Sequence, residues 1–304
     1  MGFVKENLTN YVAANEKTLI GKAILNAKTI DLINFQPGIK GASQLNLLDA
    51  SATLQAGGCG WTPAGKTTLS KRNIVTGLFK VNEDYCDTDL NGTFAEWAVN
   101  EGIGKTTLPF EEVITSKTIE SIQKQVEMLV WKGDTAGATG TYLDITDGYI
   151  KIIGAASGVI DATEAGVSLA TNPVEAVNAI VSKIPDEIID ASDLVIFAGY
   201  EVIRKYIADV NASNSYHFAL ELTPDLTVII PGTQIKLVGV GGLNGTNKAY
   251  ASTLSNFYAG GDIKGDETQY KFWYSEDNSV YRLKVQFNIG VQVAFPDFIV
   301  KYIG

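Results

Sequence analysis

The chain has 304 residues, 45% of them hydrophobic and 19% charged, with a net charge of −10 and a pI near 4.7. That length accommodates one large domain or two smaller ones with a substantial buried core, and the composition excludes a disordered chain. The acidic balance excludes tight, nonspecific binding to a nucleic-acid backbone, which needs basic surface to release counterions; a container that holds nucleic acid loosely is compatible with it.

No apolar run reaches the ~18 residues of a bilayer span, and MGFVKENLTNYV at the start has no long apolar core of a signal peptide. The sequence therefore predicts no membrane partner and a cytoplasmic chain. Residues 1–36 form a polar arm in which Leu8, Tyr11, Val12, Leu19, Ile20, Ala23 and Ile24 predict one or two short helices. Gln36-Pro37-Gly38 is a turn signal, followed by the apolar cluster Leu45, Leu47 and Leu48 and the glycine-rich QAGGCGWTPAG. Thr67–Val81 reads as extended. Residues 37–86 together predict a long β-hairpin with a glycine-rich tip, and such a ribbon is marginal in water unless it lies on something, such as a neighbouring subunit. Cys59 and Cys86 are the only cysteines, too few for a disulfide framework or a four-cysteine zinc site. They are either plain thiols or a pair that meets across the hairpin.

Asp87–Gly104, with Phe94 and Trp97, predicts a short helix leading into the stretch that organises the chain, Thr107–Asp134. There Ile119, Ile122, Val126 and Leu129 recur at helical steps and mark one buried stripe. Pro109 suits the helix entrance, Glu111 and Glu112 complement the dipole of the first turn, and Gly133 suits a left-handed terminating residue. From Phe110 to Trp131 this rod spans roughly 33 Å. Asp134–Thr141 predicts a loop, Tyr149–Ile153 a short strand and Gly158–Ala170 an extended segment. Asn172-Pro173-Val174-Glu175 starts a helix whose apolar face is Val174, Val177, Ile180, Val181 and Ile184. Leu194–Phe197 predicts a buried strand and Tyr200–Val210 a helix, an α/β unit. From Tyr216 the pattern turns to strands at Thr227–Ile230, Gln234–Val240 and Tyr270–Tyr274. The clearest is Leu283, Val285, Phe287, Ile289, Val291, Val293 and Phe295, alternating with polar residues.

No catalytic, cofactor or metal residue is assigned. Gly60–Thr67 matches the phosphate-loop pattern G-x-x-x-x-G-K-[ST], but that loop works between a buried strand and a helix that meets the phosphates. Here an extended segment follows, and Pro63 removes a donor, so the stretch reads as a hairpin tip. His217 is the only histidine and has no acidic or cysteine cluster beside it. The groups Asp144/Asp147, Asp186/Glu187/Asp190 and Asp262/Asp266/Glu267 read as solvated loop charges, with an Asp–Gly turn at Asp147-Gly148. Gly239–Gly245 is a loop with no helix after it, unlike a dinucleotide fingerprint.

The order of these features, the helix ending in VWKGD and the closing stretch IIPGTQIKLVGVGGLNGT…NFYAGGD…KFWYSED…VQFNIGVQVAFPDFIV resemble the major capsid proteins of tailed bacteriophages, with the Hong Kong 97 (HK97) fold. The resemblance implies an α+β subunit: an N-terminal arm (1–36), an extended loop (37–86), a peripheral domain with a spine helix (87–145) and an axial α/β domain (146–265). Strands at 266–304 would return to the periphery. It implies a structural protein without enzymatic activity or cofactor, joining itself as pentamers and hexamers into an icosahedral shell around double-stranded DNA held by loose contact. Scaffolding, portal and decoration proteins are its implied partners, the virion capsid its implied location, and the host cytoplasm its place of assembly. Some relatives crosslink through Lys and Asn side chains, for which no positions match here. With only a short arm before the hairpin, the chain is expected to lack a cleaved scaffolding segment or to be the mature form. Two other readings remain: a shell of a cellular compartment, encapsulin-like, and a P-loop nucleotide hydrolase built on Gly60–Thr67.

Overall fold

The computed structural model describes residues 11–12, 15, 18–19, 22–51, 53–57, 59, 64–86, 89, 110–137, 140–213, 226–262, 269–278 and 280–304. The sequence readings at Gly60–Pro63, at most of Asp87–Pro109 and at Tyr216, His217, Asp266 and Glu267 lie outside them.

Two sheets and one hairpin carry the chain. The first sheet runs β1 (Asn34–Pro37), β10 (Phe257–Asp262), β12 (Val280–Val293) and β11 (Gln269–Ser275), with β4 (Gly77–Cys86) also paired to β12. The second is six-stranded: β5 (Ile160–Asp161), β13 (Val300–Ile303), β9 (Lys248–Thr253), β6 (Leu194–Ala198), β8 (Lys236–Gly239) and β7 (Thr227–Ile229). Among the described strands, β2 (Ala42–Ser51) and β3 (Lys66–Val75) pair only with each other. Among the described residues the helices with defined bounds are α1 (Lys28–Leu32), α2 (Phe110–Lys132), α3 (Tyr149–Ala155), α4 (Pro173–Ser182) and α5 (Tyr200–Ser213), and residues 22–25 of the arm are helical as well.

Periodicity explains the main elements. The stripe read on the long helix is buried, with Ile119, Ile122, Val126 and Leu129 each at most 5% exposed. It packs on the inner face of the first sheet, where Leu283, Val285, Phe287 and Ile289 of β12 are also buried. Leu194, Ile196 and Ala198 of β6 point the other way, into a second core under α4 and α5. The alternate residues Val195 and Phe197 join the first core, so β6 divides its two faces between two cores, as period two dictates.

The structure corrects several expectations. Residues 37–86 are not one hairpin. The ribbon ends at Val75, and after Thr76 the chain enters β4, which pairs with β12 from Gly77↔Ile289 to Cys86↔Val280. Tyr149–Ile153 is helical, because Tyr149 and Ile153, four apart, are both fully buried on one side; a short apolar run does not distinguish strand from helix. The closing strands do not all return to the first sheet, since β13 pairs with β9 and β5 in the second. Phe295 lies beyond the end of β12 and packs instead beside Leu45 and Leu47 at the hairpin base.

Gly133 is not left-handed. A Cβ there would lie 2.4 Å from the Thr146 carbonyl oxygen, and one on Gly148 would lie 2.6 Å from that of Trp131. The Gly148 amide donates to the Gly133 carbonyl at 2.8 Å. Two glycines therefore let the start of α3 abut the end of α2, and close approach rather than turn geometry selects them.

Candidate assembly interface

The hairpin carries apolar residues on both faces. Leu45 and Leu47 point to one side and are buried with Ala294, against Tyr258 and Phe295 of the same chain. Leu48 points to the other side, directly opposite Leu69 across the ribbon, and these two are 62% and 74% exposed. Leu54, beyond the paired region, is fully exposed. The base of the ribbon thus rests on its own subunit while the outer half offers leucines to something else.

Around the tip the described backbone runs directly into β3, with Lys66 opposite Ser51. A strand therefore follows the phosphate-loop pattern where a nucleotide site would need a helix N-terminus. Cys59 near the tip and Cys86 at the end of β4 are both exposed and are not joined in a disulfide, which decides between the two readings of the cysteines.

The arm is fixed to the long helix by a group that sequence reading did not single out. Glu127 is buried, and its Oε2 accepts the Thr29 amide at 2.9 Å while its Oε1 accepts the Thr29 hydroxyl at 2.5 Å. Ala27 at the N-cap of α1 has no side chain able to cap, so Glu127 caps that helix from across the core. The Trp131 indole N–H donates to the same Thr29 hydroxyl at 2.8 Å. Burial pushes the Glu127 carboxyl above the ordinary range, outweighing the bonds from Thr29 and the charge of Lys28. A lone acid inside the run Val126–Trp131 was the available signal.

Trp131 is where the layers meet. Its ring lies 5.3 Å from Phe197 of β6, 5.8 Å from Tyr250 of β9, 5.3 Å from Tyr149 of α3 and 6.5 Å from Phe257 of β10. Gly242, from the glycine-rich loop, passes so close that a Cβ would sit 2.4 Å from Trp131 Cδ1. That loop is a packing surface for the long helix.

The acidic loop groups also have structural work. Lys151 lies 2.7 Å from Asp134 and 2.8 Å from Asp147, and Asp147 accepts the amide and hydroxyl of Thr135. The Lys151 hydrogen bond holds the Asp134 carboxyl below the usual range. At Asp147 partial burial pushes the other way but is outweighed by the Lys151 and Thr135 bonds, so it too is lowered. Asp186, Glu187 and Asp190 stay on an exposed loop. Among the described residues no cluster of His, Cys, Asp or Glu suits a metal ion, and no helix is long and apolar enough to cross a membrane.

The fold recurs in solved structures. The chain is similar to one in the satellite phage P4 procapsid, a structure that includes the size determination (Sid) protein, with a TM-score of 0.62 and 15% identity over 95% of this chain and 98% of that one. The chain has the HK97-like capsid fold. The same fold relates it to the capsid of an empty GTA particle, with a TM-score of 0.55 and 10% identity over 93% of this chain and 89% of that one. It also relates it to a virus-like particle from Pyrococcus furiosus, with a TM-score of 0.53 and 11% identity over 94% of this chain and 96% of that one. No protein-family model and no curated protein matches the sequence.

Proposed function

We propose that this HK97-like chain is a shell subunit, the major capsid protein of a tailed bacteriophage, and that its role is structural rather than enzymatic. The observation that carries the reading is the outer half of the hairpin, whose opposed leucines Leu48 and Leu69 are left uncovered in a chain that shares its fold, nearly end to end, with capsid chains. Partners would cover the hairpin, and closed symmetric contacts between copies, as pentamers and hexamers, would supply them. Each contact can be modest because a shell sums many. The acidic chain would hold packaged double-stranded DNA only loosely. In this reading the N-terminal residues would serve as the arm, the β2–β3 ribbon as the extended loop, the first sheet with the long helix as the peripheral domain and the second sheet as the axial domain; scaffolding, portal and decoration proteins would complete the particle, which would assemble in the host cytoplasm into the virion capsid.

Electron microscopy with light scattering on the purified chain, alone and with neighbouring virion genes, tests this. Uniform shells, pentamers or hexamers are expected; a monomer under every condition would refute it. Deleting Gly57–Gly65 should leave a soluble subunit that fails to close particles, and normal particles would remove the hairpin from the assembly role. The likeness to the Pyrococcus furiosus particle favours a second reading, a cellular compartment shell. Enclosed enzyme cargo instead of DNA would select it. A nucleotide hydrolase requires turnover that Lys66→Ala abolishes.

A further inference from the structure

The first sheet has an outer face, turned away from the long helix, whose chemistry differs from the rest of the chain. Residues directly opposite one another in an antiparallel pair share a face, so the registers fix its composition. One row is Lys271, Lys284 and Asn82, the next Trp273, Arg282 and Asp84, and a third holds Gln286 and Lys80. The core-facing residues between them, Tyr270, Phe272, Leu283, Val285 and Phe79, are buried.

On β4, β11 and β12 this face holds the four cations Lys80, Lys271, Arg282 and Lys284 against one anion, Asp84, which lies 3.6 Å from Arg282; Asp262, on the same face in β10, is buried and paired with Lys40 at 3.6 Å, so that pair adds no net charge. The face therefore carries +3 in a chain of net −10, leaving −13 on everything else (−10 − 3). Lys271 and Lys284 sit directly opposite each other, an arrangement of like charges that costs stability in the free subunit. Trp273, in the adjoining row, is 39% exposed. Tryptophan and arginine on one patch are the residue types that anchor protein contacts.

We infer that this sheet face is a contact surface for an acidic patch on a second copy of the same chain. Two copies of net −10 repel overall, so close approach needs a local region of opposite sign to offset that repulsion. The chain carries the complement: Asp186, Glu187 and Asp190 are exposed on one loop around Ile189, itself 41% exposed. A basic patch with an aromatic anchor meeting an acidic patch elsewhere on the next copy is a heterologous contact, the kind that propagates into rings. Nucleic acid fits the face less well, because one tryptophan is no stacking track and the surrounding surface repels a phosphate backbone.

The inference rests on the reading of the chain as a self-assembling subunit. The experiment compares the full chain with Lys271→Glu/Lys284→Glu and, separately, Trp273→Ala, by sedimentation velocity and electron microscopy between about 0.05 and about 0.5 M salt. Circular dichroism checks that each variant keeps its fold. Expected are wild-type assemblies that weaken as salt rises, and roughly tenfold or greater loss of association in both variants. A wild type that assembles alongside folded variants that assemble equally well overturns this inference and leaves the shell reading standing. A wild type that stays monomeric sinks both. Binding of a short DNA duplex by the wild type, abolished in the lysine reversal, would reassign the face to nucleic acid and also overturn it.

Discussion

Replacing Glu127 with alanine is the sharpest probe of how the arm is held. Thr29 is fully buried and donates both its amide and its hydroxyl to the Glu127 carboxylate. Without that acceptor the amide is orphaned, at about 1–3 kcal/mol, and the truncated side chain leaves a cavity worth roughly another 1 kcal/mol. Relief of a buried charge works in the opposite direction, because burial holds this carboxyl above its ordinary range. The expected net loss is about 2 kcal/mol in urea unfolding, with faster amide exchange in α1, a helix of five residues too short to persist alone. Glu127→Gln keeps one acceptor and should lose less than about 1 kcal/mol. The sign with pH follows from the raised value: folded chain keeps this proton to higher pH than unfolded chain. The contribution is therefore fully present below the ordinary glutamate range and lost as pH rises through the folded value, and Glu127→Gln should remove that slope. An alanine variant within about 0.5 kcal/mol of wild type, with α1 exchange unchanged, would show that Thr29 has no need of this carboxylate.

Ile122→Asp drives an unpaired charge into the helix–sheet core and should cost about 3–5 kcal/mol, read as loss of soluble folded chain; a normally folding variant would mean the stripe is not buried. Gly148→Ala places a methyl group against the Trp131 carbonyl and should cost about 3 kcal/mol in thermal or urea unfolding, whereas Gly154→Ala, where a Cβ meets nothing within 4 Å, should be tolerated. Asp134 and Asp147 have lowered values, so their contribution holds above the ordinary aspartate range and is lost as pH falls through the depressed one. The protection of the Thr135 amide against exchange, relative to the intrinsic rate at each pH, should fall on acidification, and protection that does not change with pH would contradict the pairing. A thiol reagent should titrate both Cys59 and Cys86 in the folded chain, and silence from both would indicate that they are joined.

What was legible in the sequence was whatever periodicity alone decides. The long helix announced itself through a stripe whose spacing only a helix can bury, and β12 through an alternation only a strand can. Tertiary partners decided the rest. β3 and β4 are one extended run in sequence, and only the change of neighbour at Thr76, from β2 to β12, separates them. Tyr149–Ile153 has too few residues for its period to show, and its helix is set by the glycine contact with α2. Glu127 reads as one acid in an apolar run; nothing local reveals that its partner lies 98 residues away. The outer leucines of the hairpin were visible as apolar residues, but which of them the subunit covers itself depends on where Ala294 and Phe295 come to rest.

The two-stranded hairpin has a further consequence for the isolated subunit. In its outer half, beside Leu48 and Leu69, the ribbon of β2 and β3 pairs with no other described strand and leaves backbone donors and acceptors along its margins, whereas nearer the base the Asn73 carbonyl is taken by Gln292. Any stray extended chain could add a strand there, the first step of precipitation. What holds it off in dilute solution is colloidal: a net charge of −10 keeps copies apart at neutral pH. That protection vanishes near the pI of about 4.7, where ordered growth and amorphous clumping would compete on equal terms. Storage well above that pH keeps the unassembled pool from clumping, and a drop in pH toward the pI is therefore the wrong way to start its assembly.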